Sequence, residues 1–130
     1  MNFQRVADAY GNAETAAVVE SQDKHAIILL MFDELLRSMN LVIEQLNADS
    51  RDHEIFAKHY ARSLSIIYTL QSSLDMERGG DVALSLFRVY AYGRQMLMKD
   101  NSEKTSIGSQ KAHQLLSEIR QAWADMGMAQ

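Results

Sequence analysis

The chain contains no proline and no cysteine, and only six of its 130 residues are glycine. β-rich folds of this size need many tight turns and spend glycine and proline on them. With so few punctuators the chain has few, long elements, and the expectation is an all-α fold. Without cysteine there are no disulfides, no thiolate metal sites and no cysteine nucleophile, which suits a cytoplasmic protein. No apolar run approaches the ~18 residues of a membrane helix; the longest is Ala26-Ile27-Ile28-Leu29-Leu30-Met31-Phe32. The start, Met1-Asn2-Phe3-Gln4-Arg5, has no apolar segment behind its charge, so no secretory signal is expected. The net charge is −4. That balance argues against a nucleic-acid partner, since phosphate contacts need a basic surface.

What is present is helical periodicity. Residues Asp23 to Leu46 read as a first helix, with Ile28, Met31, Phe32, Leu35, Met39, Val42 and Leu46 on one face and Asp23 as its cap. A second helix is expected from Arg51 to Glu77, stopped by Gly79-Gly80, with Phe56, Tyr60, Leu64, Ile67, Gln71 and Leu74 on its stripe. A third runs from Asp81 to Met98 through Ala83, Leu86, Phe87, Tyr90, Arg94 and Leu97, and Asp100-Asn101-Ser102 breaks it. A fourth begins at Ser102 or Ser106 and carries Ala112, Leu115, Leu116, Ile119, Trp123 and Met126. Short connections favour antiparallel neighbours. The expected architecture is therefore one domain over residues 1–130, an antiparallel four-helix bundle. Residues 1–22 are expected to be a short N-terminal helix or arm plus a linker, with Phe3, Val6 and Tyr10 at helical steps.

Three helices carry more apolar residues than one stripe needs. Ile27, Leu30 and Leu41 project away from the first stripe; Ile55, Ile66 and Leu70 broaden the second; Val82, Val89, Tyr92 and Met96 broaden the third. Such a surplus fits an outer apolar groove for an amphipathic partner helix, though a broad stripe more often means a crowded core or a self-dimer interface. Eight methionines favour a deformable surface. Catalytic patterns are missing. The histidines His25, His53, His59 and His113 form no HExxH motif, and no glutamate has a histidine three residues on, as di-metal bundles require. No phosphate-binding loop and no GxSxG occurs. The reading is non-enzymatic, with no metal and no cofactor.

The motifs themselves are specific in combination. Ala9-Tyr10 precedes Ser21-Gln22-Asp23-Lys24, then Ile27-Ile28-Leu29-Leu30-Met31-Phe32-Asp33. Ser73-Leu74-Asp75-Met76-Glu77-Arg78-Gly79-Gly80-Asp81-Val82-Ala83 follows, then Leu86-Phe87-Arg88-Val89-Tyr90-Ala91-Tyr92, and finally Leu115-Leu116-Ser117-Glu118-Ile119-Arg120-Gln121-Ala122-Trp123. This pattern resembles the flagellin export chaperone family, FliS, over residues 9–126. The chain departs from the family at Lys24, where a proline is usual, at Glu34 for a glycine, and at Ser85 for an asparagine. The resemblance implies a cytoplasmic helical chaperone that binds the C-terminal segment of flagellin, prevents early polymerisation and aids delivery to the flagellar type III export apparatus. Export gate components and the flagellar anti-sigma factor are further implied partners. Tyr10, matching the family's AY pair, Ile27, Leu30, Ile66, Leu70, Val89, Tyr92 and Met96 are the expected client-binding residues. The family arm is expected to occupy part of the groove until the client arrives. The alternative is a structural homo-oligomeric bundle, with a homodimer as its simplest form.

Overall fold

The structure, a computed structural model, describes residues 21–128. Four helices make up the described residues: α1 (Ser21–Asn47), α2 (His53–Ser72), α3 (Met76–Glu103) and α4 (Ile107–Met128). α1 packs against α2 and α4, and α3 packs against the same two. The helices alternate in direction. The start of α1 meets the end of α4, where the Trp123 indole donates to the His25 carbonyl at 2.9 Å. The end of α1 meets the start of α4, where Ser106 donates to Asn47 at 2.5 Å. The expected antiparallel bundle is what the chain forms.

The core follows from the apolar spacing. Ile28, Phe32, Leu35, Met39, Val42 and Leu46 of α1 are all buried, as periodicity requires. The rings of Phe32 and Tyr90 approach across the bundle, with centroids 6.4 Å apart. Each fully buried side chain of this size contributes about 1.5–3 kcal/mol. Gly93 is buried where α3 meets its neighbours: a Cβ there would contact Ile67 at 3.4 Å and Leu116 at 3.6 Å.

Helix ends depart from expectation at three places. α1 is already helical at Ser21, so Asp23 lies inside it rather than capping it. No proline or glycine stands in Ser21-Gln22-Asp23-Lys24 to hold the boundary at Asp23. α2 does not run on to Gly79-Gly80. It ends at Ser72, and Ser73 donates its hydroxyl to the Thr69 carbonyl at 2.7 Å, closing the last turn. Asp75 then caps α3, accepting the amides of Glu77 and Arg78 at 3.1 and 3.0 Å. The glycine pair lies within α3, where Gly80 (φ 51, ψ −127) makes a kink. The third break is also absent. α3 continues through Asp100-Asn101-Ser102 to Glu103 and closes at Lys104 in the left-handed conformation (φ 56, ψ 48). Asp100 is 2% exposed, held in the packing rather than in a loop.

Candidate docking surface

The α3/α4 seam opens on its outer side into an apolar trough of about 360 Å³ lined by Val82, Leu86, Val89, Leu115 and Ile119, with Asp81 and Ser85 on the rim. α3 places Val82, Ser85 and Val89 at three- and four-residue steps, so they form one ridge beside the core stripe. Farther along the same seam a second depression, about 260 Å³, is lined by Tyr92, Met96, Ile107, Gly108, Lys99 and Lys111, among others. Here Gly108 permits a close approach of α3 and α4. A Cβ at that position would lie 2.6 Å from the Met96 sulfur. Ile107, 64% exposed, stands at the mouth.

The expected site residues divide into three groups. Val89, Tyr92 and Met96 come together on this seam. Ile27 and Leu30 are exposed on α1, and Ile66 is half-buried on α2. Ile66 lies on the α1/α2 seam, while Ile27 and Leu30 are on the outer side of α1. Glu34 of α1 pairs with Arg62, and Ile66 is one turn beyond Arg62. Since α1 contacts α2 and α4, and α3 contacts the same pair, this seam lies on the side of the bundle opposite the trough. The expected site residues therefore do not share one groove. Leu70 is a correction: at 1% exposure it belongs to the core, because its edge of α2 turns inward beneath Ile66. Tyr10 lies outside the described residues.

Sequence reasoning missed the α4 wall. Leu115 and Ile119 fall on the core stripe of α4, which shows little surplus, yet they line the trough. A stripe residue at the edge of a seam serves core and surface together, and one helix read alone does not separate these roles.

Polar groups set the edges. The Glu34 carboxylate accepts from Arg37 at 2.6 Å and pairs with Arg62 at 3.1 Å. The Arg37 hydrogen bond, helped by the charges of Arg37 and Arg62, holds Glu34 below the ordinary glutamate value. One turn on, the buried His59 imidazole is 3.3 Å from the Ser38 hydroxyl. Burial lowers the His59 pKa, and the nearby cations Lys58, Arg37 and Arg62 add to this. The pKa of His113, on the α1/α4 side, is also lowered by burial, with the nearby Leu36 backbone acting against this. Among the described residues no group of histidines and carboxylates is placed to hold a metal ion. Nor is any helix there long and apolar enough to cross a membrane.

Comparison with known proteins decides the family. The family model of the flagellar protein FliS matches residues 6–130. The chain belongs to the FliS family. A relative, the flagellar secretion chaperone FliS of Salmonella typhimurium (strain LT2), is 28% identical over 116 residues, which is 88% of this chain and 84% of that protein. In this FliS family member the motif Ser73 to Ala83 is the α2–α3 turn, with Asp75 as cap and Gly80 as kink. The Leu86 to Tyr92 motif builds the α3 wall of the trough through Leu86 and Val89 and reaches the second depression at Tyr92.

Proposed function

We propose that this protein is a cytoplasmic flagellar export chaperone that holds the C-terminal helical segment of flagellin until export. The observation that carries this reading is the α3/α4 trough, whose walls Val82, Leu86, Val89, Leu115 and Ile119 are apolar along two turns of α3. An amphipathic helix laid there covers its own apolar stripe, the surface that would otherwise nucleate a filament. Met96 and Tyr92 extend the contact toward Ile107. Methionine adapts to side chains of differing shape, which suits a surface that must receive and release its client. Ile27, Leu30 and Ile66, on the opposite side of the bundle, meet a second stretch of the same segment as it passes around. Membership in the FliS family and likeness to a relative named a secretion chaperone support the reading.

The chemistry required is binding alone, and no covalent step is invoked. The bound complex then passes to the type III export apparatus. The test is a titration of the full chain with a peptide of the flagellin C-terminal segment. Saturable one-to-one binding by a monomeric protein is expected. A concentration-dependent oligomer that binds no such peptide would instead make the bundle a structural assembly.

A further inference from the structure

A third face, along the α2/α3 seam, is exposed and apolar. Tyr68 is 60% exposed on α2, and Leu84, Phe87 and Met98 are 37%, 42% and 55% exposed on α3. Tyr68, Leu84 and Phe87 share one level of the seam, and Met98 lies farther along α3. Gln71 donates to the Phe87 carbonyl at 3.2 Å, which ties the two helices at that level, and Tyr68 is one turn before Gln71. Leu84 is one turn before Phe87, while Met98, three turns after it, continues the same row. Ala91 lies between Phe87 and Met98 along α3.

The charge on this face is one-sided. The chain is net −4, yet none of its 17 acidic residues lies between Ile55 and Leu74 or between Val82 and Lys99. The carboxylates cluster instead at the two ends of the seam, as Asp75, Glu77 and Asp81 at one and Asp49, Asp52, Glu54 and Glu103 at the other. About 27 Å of α3 is thereby free of negative charge, at 1.5 Å per residue. Arg88 is exposed on that stretch, and no ion pair of Arg88 or Arg94 occurs among the described residues. The Arg94 Nε is buried and has no hydrogen-bond partner among the described residues.

We propose that the α2/α3 face is a separate docking surface for an acidic amphipathic helix of another protein, seated on Tyr68, Leu84, Phe87 and Met98 with its carboxylates toward Arg88 and Arg94. Charge complementarity selects this occupant over a second copy of the chain. A twofold dimer centred on the carboxylate-free stretch would set arginines against arginines, with carboxylates only at its two ends. The surface is distinct from the trough, because Val89 and Leu115 open on the α4 side of α3.

The test uses the full chain and a labelled synthetic helix about 18 residues long, matched to the carboxylate-free stretch. Its leucines recur at three- and four-residue steps, and glutamates flank them. A second version carries lysine at every glutamate position. The expected result is saturable binding of the glutamate helix and binding about tenfold or more weaker for the lysine helix. The Phe87→Glu and Arg88→Glu variants, each with an unchanged circular dichroism spectrum, each lose about tenfold or more for the glutamate helix. Val89→Glu leaves its affinity intact, and Phe87→Glu leaves the affinity for the flagellin peptide intact. Failure of the glutamate helix to bind overturns the proposal, as does equal binding of both helices. Loss of glutamate-helix binding in Val89→Glu with none in Phe87→Glu would move the site to the trough. A dimer in sedimentation that Phe87→Glu dissolves would make the face a self-interface and contradict the proposal.

Discussion

The Asp100 carboxylate of α3 accepts the Ser109 amide of α4 at 2.6 Å. The helix that closes the trough on one side thus caps the first turn of the helix that closes it on the other. Both groups are buried, with Asp100 2% and Ser109 0% exposed. Removing the acceptor leaves a buried amide unpaired, which costs about 1–3 kcal/mol. Asp100→Ala is therefore expected to lower stability by about that amount in urea unfolding monitored by circular dichroism. A change within about 0.5 kcal/mol would mean that the cap is dispensable.

Gly80 takes φ 51, ψ −127 and has open space where a Cβ would go. Replacement by alanine therefore costs backbone strain and no collision. Gly80→Ala is expected to destabilise by about 1–3 kcal/mol and to lower the melting temperature accordingly. An unchanged melting temperature would show that the kink relaxes without cost.

Acid should loosen the bundle through its histidines. His59 and His113 both have folded-state pKa values below the ordinary 6.5, chiefly because burial disfavours the imidazolium. The unfolded chain then binds protons first. Their contribution is fully present above pH 6.5 and is lost as pH falls through the lowered folded values. Glu34, whose own value lies below the usual 4.5, acts only in more acid solution. The urea midpoint should fall between pH 7 and pH 5, and His59→Gln combined with His113→Gln should flatten that slope. A slope unchanged by both substitutions would assign the effect to other groups.

Much of the bundle was legible in spacing alone. The α1 stripe from Ile28 to Leu46 is buried as periodicity predicts, because one helix face can serve only one core. Helix ends were read less well, for a physical reason. Gly79-Gly80 carries a strong local stop signal, but the Asp75 carboxylate and the Ser73 hydroxyl had already divided the chain a few residues earlier. Side-chain caps of this kind depend on geometry that composition does not show. Phe87 sits beside Leu86 and was assigned to the α3 stripe, yet it is 42% exposed. A 100° step takes it to the α2 edge, and only the position of α2 shows that the edge is uncovered. Leu70 is the converse case, a surplus residue that its neighbours enclose. Val89, Tyr92 and Met96 do share a seam, but their partners Leu115 and Gly108 come from a helix with little surplus to mark it.

The central claim is that the α3/α4 trough receives the flagellin C-terminal segment. The most direct measurement compares the affinity of that peptide for the wild-type chain and for Val82→Glu combined with Val89→Glu. Both side chains are only partly buried against the core, so the helical spectrum should persist. Two carboxylates in an apolar trough lose their hydration when a helix lies over them, so binding should weaken about a hundredfold or more. Unchanged affinity in a folded double variant would contradict the account and place the client elsewhere on the bundle.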